Sequence, residues 1–154
     1  MSNEDSHKRL FFDDLFVGQR FSSASHVVSE EEIKDFAKAF DPQPFHLDDQ
    51  AARHTLFGGL AASGWHTAAL TMRLNLQGGL PFATGVIGAG GELSWPQPLR
   101  PGDTIHVESE IEEITPSRSR SDRGTITATT RTLNQNGEAV QIFKAKLIVF
   151  RKPD

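Results

Sequence analysis

The chain contains no cysteine. A disulfide framework, a thiolate metal site and a cysteine nucleophile are therefore excluded. Long apolar runs are also missing, so no stretch suits a membrane-spanning helix. The opening residues Met1 to Arg9 are polar where a secretory leader needs an apolar core. An excess of positive charge is absent too: the formal net charge is -4 and the isoelectric point about 5.8. Bulk attraction to nucleic acid requires the opposite sign. There is no HExxH pair, and with no cysteine ligand nothing in the histidine or carboxylate spacing suggests a metal. The expectation is a soluble cytoplasmic protein with no metal or bound cofactor and no nucleic-acid or membrane partner.

A chain of 154 residues suffices for one domain with its own core. We expect a loose tail over 1–9 and a single domain over 10–154. Arg20 to Val28 reads as a strand. Ser29-Glu30-Glu31-Glu32 fits a capping box that opens a helix, with Ile33, Phe36, Ala37 and Phe40 on one face. A short helix is expected over Asp48 to His54. From about Ala62 to Gln77 apolar groups occur all round, which predicts a helix buried on most faces. The rest reads as β. Thr84 to Leu99 carries Gly88, Gly90 and Gly91, which mark a bend or a close backbone approach. Ile105, Val107 and Ile111 point one way, with an irregularity expected before Ile114. Thr125 to Leu133 is rich in β-branched residues, Asn136-Gly137 is a hairpin signal, and Phe143, Ala145, Leu147 and Val149 alternate with their neighbours. The fold class is α+β: a curved antiparallel sheet wrapped around one long helix. Such a sheet leaves edges that association covers, so a homodimer or larger homo-oligomer is expected.

The stretch Phe40-Asp41-Pro42-Gln43-Pro44-Phe45-His46 carries the chemistry. Prolines fix their own φ and extend the residue before them, so Asp41 and His46 are expected on a stiff loop after the first helix. Acid/base work needs such rigidity, because both groups must reach one reacting atom. Alone, this spacing fits an Asx turn and a surface histidine better than a catalytic pair.

With its surroundings, the segment resembles the hydratase motif of the MaoC-like dehydratases, the (R)-specific enoyl-CoA hydratase branch of the hot-dog fold. Phe36 fits the motif's aromatic, Asp41 its acid, Pro44 its proline, Phe45 its hydrophobe, His46 its histidine and Ala51 its small residue. Phe40 stands where the family has glycine and Gln43 where it has asparagine. The family's His-Gly-Met segment is represented by Ser63-Gly64-Trp65, and a later proline-rich pattern by Trp95 to Asp103. The resemblance spans about Phe12 to Lys152.

It implies reversible hydration of a 2-enoyl coenzyme A thioester to an (R)-3-hydroxyacyl thioester. His46 would act as base and Asp41 as proton donor to C2, with roles that exchange in a coupled pair. Gly64, near the start of the buried helix, would offer a backbone N–H to the thioester oxygen, where unsatisfied amides and the positive dipole end converge. Gln43, Pro44, Phe45, Ser63 and Trp65 would line the substrate, with the Trp65 N–H a second possible donor. Gly64 also fits simple close packing of helix on sheet. His66 reads as a packed or capping histidine, and Arg53 and His54 as a solvated face. Arg100, Arg118, Arg120 and Arg123 form the main basic cluster, a charged hairpin or a contact for coenzyme A phosphates. Two other readings remain: a hot-dog acyl-CoA thioesterase, and a non-catalytic acyl-CoA-binding protein.

Overall fold

The computed structural model describes residues 8–154; most of the expected tail lies outside the described residues. Strands β1 (Arg20–Ser22) and β2 (His26–Val27) precede helices α1 (Glu30–Phe40), α2 (Pro44–Leu47), α3 (Asp49–Ala52) and α4 (Gly64–Leu74). Strands β3 (Ile87–Ser94), β4 (Thr104–Pro116), β5 (Arg123–Leu133) and β6 (Ala139–Phe150) complete the fold. The sheet is antiparallel in the order β1-β4-β5-β6-β3, with β2 also paired to β4. Its inner face curves around α4, which is the expected hot-dog arrangement. Among the described residues no helix is long and apolar enough to cross a membrane.

The local signals act as their chemistry dictates. Ser29 Oγ accepts from the Glu32 N–H at 3.1 Å, and the Glu32 carboxylate accepts from the Ser29 N–H at 3.2 Å. Such a cap contributes about 1 kcal/mol to the helix start. Gly137 at the β5–β6 turn has φ +76°, which suits glycine. The irregularity before Ile114 is a bulge between Ile111 and Glu113. A second shift falls between Gly88 and Gly90, and a Cβ on Gly91 would come 2.4 Å from the Lys144 carbonyl. Backbone approach, as expected, requires that glycine.

Four expectations need correction. The first strand breaks at Ser23, whose Oγ takes the Val107 N–H at 2.8 Å and so replaces a ladder bond. Phe40 is 75% exposed rather than packed, although its ring touches Phe36. The short helix after the motif covers only Asp49–Ala52. The central helix ends at Leu74 and widens into a looser turn over Asn75–Gly79, where Gly78 adopts φ +126°. That helix also exposes Trp65 and Met72, and the turn after it Leu76, so burial is confined to the face carrying His66, Thr67, Leu70, Thr71 and Leu74.

Two apolar clusters flank α4. Phe12, Leu80, Phe82, Ile126 and Leu147 anchor one; Val28, Ile33, Leu70, Leu99 and Ile105 anchor the other. Each such side chain contributes roughly 1.5–3 kcal/mol by leaving water. Hydroxyl pairs lie on the sheet's inner face: Thr71 with Thr132 at 2.6 Å, and Ser109 with Thr130 at 3.0 Å.

Candidate active site

Helix α1 stops at Asp41, whose backbone leaves the helix at φ -151° and ψ 66°. The chain then turns: the Gln43 N–H donates to the Asp41 carbonyl at 2.8 Å, and Pro44 opens α2 as its first residue. Proline suits that position because its fixed φ is helical and its missing N–H would have no partner. His46 therefore stands on a helical turn, not on the loop expected from the two prolines. The consequence is the same stiffness, reached by a different backbone.

His46 is 4% exposed. Its Nδ1 lies 2.7 Å from the Ala61 carbonyl, which can only accept, so Nδ1 carries a proton. That bond turns Nε2 towards Asp41 Oδ2 at 3.4 Å. Charge-assisted contacts are usually shorter, about 2.7–2.9 Å. The gap instead suits two acceptor atoms that share one donor molecule between them. Phe45 and Phe57 pack edge-on and tilted against the imidazole, with ring centroids 4.6 and 5.7 Å away.

Asp41 is fixed at both oxygens. Ser63 Oγ donates to Oδ2 at 2.7 Å and Gln43 Nε2 donates to Oδ1 at 2.5 Å. Burial works to raise its pKa, but the bonds from Ser63 and Gln43 and the field of His46 outweigh it and hold the group below the usual carboxylate range. The longer amide of Gln43 thus still reaches the acid. Ser63 is buried and also caps α4, its Oγ accepting from the Trp65 N–H at 3.3 Å. One hydroxyl therefore starts the helix and aims the carboxylate. Ser63 acts on Asp41, and the Trp65 N–H is engaged by that cap, so it is not a free oxyanion donor. The Gly64 N–H has no acceptor among the described residues.

A cavity of about 470 Å³ opens beside the pair, with His46, Phe57, Gly64, Thr67, Trp95 and Val140 among its walls. Asp41 borders it through His46 rather than lining it directly. A separate groove on the sheet, around Arg20 and Arg131, contains neither His46 nor Asp41. Pro44 and Gln43 are exposed and do not line the cavity, and Trp65 is 60% exposed, outside its wall. His66 is buried against Phe36, with rings stacked at 4.8 Å; burial lowers its pKa despite Glu32 nearby. It does not line the cavity. Arg53 pairs with Asp49 at 3.0 Å on the surface, and His54 is exposed.

The basic cluster divides. Arg118, Arg120 and Arg123 sit around the β4–β5 turn, whereas Arg100 lies before the opposite end of β4. Arg100 donates to the carbonyls of Gly59 and Leu60 at 2.9 and 3.2 Å, and to that of Phe57. It clamps the loop that forms the cavity's front wall. Nothing in the local sequence announces this, because the partners lie some forty positions away. Among the described residues no cluster of histidine and carboxylate groups could hold a metal.

The structure is thus a hot-dog sheet around one helix, with an acid and a histidine beside that helix's amide end. The comparisons give its family: residues 16–134 match the MaoC like domain model, and the chain belongs to that family. It is 33% identical to the uncharacterized protein YdeM of Bacillus subtilis, over 91% of this chain and 97% of that one. It is 34% identical to a 3-hydroxybutyryl-CoA dehydratase of Methylorubrum extorquens, over 73% and 70% of the two chains. Among solved structures it resembles a MaoC-like dehydratase from Rhodospirillum rubrum, with TM-score 0.93, 63% identity and coverage of 94% and 99%. It also resembles the R-hydratase PhaJ1 of Pseudomonas aeruginosa, with TM-score 0.74, 28% identity and coverage of 94% and 88%.

Proposed function

We propose that the protein is a hydro-lyase that reversibly adds water to a 2-enoyl coenzyme A thioester, giving the (R)-3-hydroxyacyl thioester. The observation that carries this reading is the His46 Nε2 to Asp41 Oδ2 separation of 3.4 Å, with Nδ1 tied back to Ala61. A water between those atoms donates one hydrogen to each. Its oxygen attacks C3 while a proton passes to His46. The dyad then returns one proton to C2 from Asp41, refilled through the Nε2–Oδ2 contact, so one molecule of water is added and the dyad is unchanged. Because the Asp41 pKa is depressed, the resting carboxylate is an acceptor, and the proton it delivers is acquired within the cycle. The Gly64 N–H stabilises the enolate on the thioester oxygen; losing a donor of this type costs about 10²–10³-fold in rate. Positioned acid/base catalysis adds roughly 10²–10⁴-fold.

The names of the M. extorquens and P. aeruginosa relatives support the same class of reaction. The reading takes the active protein as a homodimer or larger homo-oligomer. Strand β3 is a sheet edge, and exposed Trp65, Met72 and Ile87 lie on α4 and on that edge, an apolar face suited to a second copy. The test mixes pure protein with crotonyl-CoA and longer enoyl-CoAs and follows loss of the conjugated thioester absorbance. Release of free thiol without that loss would assign a thioesterase instead. Binding without either product would assign an acyl-CoA-binding protein.

A further inference from the structure

The cavity beside His46 and Gly64 ends against one indole. Trp95 lies over Gly64 so closely that a Cβ there would fall 2.5–2.8 Å from three of its ring carbons. Its Nε1–H donates to Gln141 Oε1 at 2.9 Å, and its ring meets Trp65 edge-on at 5.2 Å. Behind this wall lies a second cavity of about 240 Å³ between α4 and strands β3 and β6. Neighbouring residues open onto different spaces: Gly64, Thr67 and Val140 face the first cavity, while Trp65, Ala68 and Gln141 face the second. No residue lines both. The partition is therefore two side chains thick: Trp95 lines the first cavity, and Gln141 and Trp65, which it touches, line the second.

The second cavity offers nothing polar to a ligand. Met72, Leu80, Leu93 and Phe143 supply much of its wall. The hydroxyls of Thr71 and Thr130 are engaged with Thr132 and Ser109, and Gln141 Oε1 holds the indole. Asn75 Oδ1 has no partner among the described residues, but it is turned towards Gly79, 2.9 Å from where a Cβ on that glycine would stand. Such a space suits an unbranched alkyl tail and rejects a charged one.

We propose that Trp95 sets acyl-chain length: closed over Gly64 it confines the site to a crotonyl-sized enoyl thioester, and its removal lengthens the site towards the second cavity, with Trp65 and Gln141 as the new end wall. This rests on the hydratase reading above. The thioester oxygen at the Gly64 N–H and C3 beside the dyad fix the head of the substrate. Its tail then runs into the indole.

The test compares kcat/KM for crotonyl-, hexenoyl- and octenoyl-CoA in the wild type, Trp95→Ala, Trp95→Phe and Gln141→Met. The wild type is expected to favour crotonyl-CoA. Trp95→Ala is expected to raise the octenoyl-to-crotonyl ratio at least about tenfold, a change of the size that pocket methylenes produce. Trp95→Phe and Gln141→Met should move the ratio in the same direction by less, and they carry the test if the alanine variant fails to fold. Calorimetric binding of butanoyl- and octanoyl-CoA, which need no turnover, runs in parallel. Turnover with an unchanged ratio, or a wild type that prefers octenoyl-CoA, overturns the gate and leaves the hydratase. No turnover, with a binding ratio shifted in the variants, upholds the gate and overturns the hydratase. Neither turnover nor binding overturns both.

Discussion

Replacing Ser63 by alanine separates two roles carried by one hydroxyl. As a cap, Ser63 Oγ accepts from the Trp65 N–H, and its loss should destabilise the fold by about 1 kcal/mol. As a donor, it reaches Asp41 Oδ2 at 2.7 Å with both groups shielded from water. A hydrogen bond to a charged partner contributes about 1.5–3 kcal/mol. If the transition state uses that bond fully, its loss corresponds to about 10- to 150-fold in kcat/KM. The pH behaviour follows from the sign of the shift. Burial raises the Asp41 pKa, and the Ser63 bond is the largest influence lowering it, so in the variant the pKa rises. A depressed folded-state pKa stabilises the protein above the unfolded value, and that stabilisation disappears as pH falls through the folded value. The variant should lose part of it at neutral pH, and the acid limb of its kcat/KM profile should move to higher pH. Crotonyl-CoA hydration across pH, with urea unfolding at pH 7, measures both effects. Ser63→Thr, which keeps the hydroxyl, should recover the profile. An alanine variant with wild-type rate and an unmoved acid limb would refute the proposed link between Ser63 and catalysis.

Asp41→Asn should lower turnover by at least about 10²-fold while changing urea stability little, since the amide keeps the shape but cannot carry the proton. His46→Ala should abolish turnover and also cost about 1–3 kcal/mol, because the buried Ala61 carbonyl loses its donor; wild-type stability would show that this bond is unimportant. Gly64→Ala forces a Cβ into the Trp95 ring and should cost roughly 1–3 kcal/mol by overpacking. Adding Trp95→Ala should restore most of that stability, and a double variant no more stable than the single one would place the strain elsewhere.

Much of the fold was readable because its signals are local. The Ser29 capping box, the Asn136-Gly137 turn and the alternation through Phe143 to Val149 each specify one backbone choice within a few residues. The nearness of Asp41 and His46 was also legible, since the two prolines between them stiffen the short connection. What escaped depends on distant partners. Ser63 and Asp41 are 22 residues apart, and a serine before Gly64 signals a cap but not its second bond. The uniformly apolar pattern of α4 concealed an exposed side, because composition does not distinguish a core neighbour from a face left open on one chain. The helical turn at Pro44 was in fact signalled: proline at a first helical position reads as a start as well as a stop. Arg100 gave no local hint of its partners.

The front of the cavity includes backbone that Arg100, in the turn before β4, fastens from 40 or more residues away. The Leu60 and Ala61 amides are also tied, to Asp49 and Phe45, so the loop behaves as a hatch of which Arg100 is one bolt among several. Amide hydrogen exchange around Leu60 would then report how often the substrate space is unlatched, independently of whether the rest of the chain unfolds.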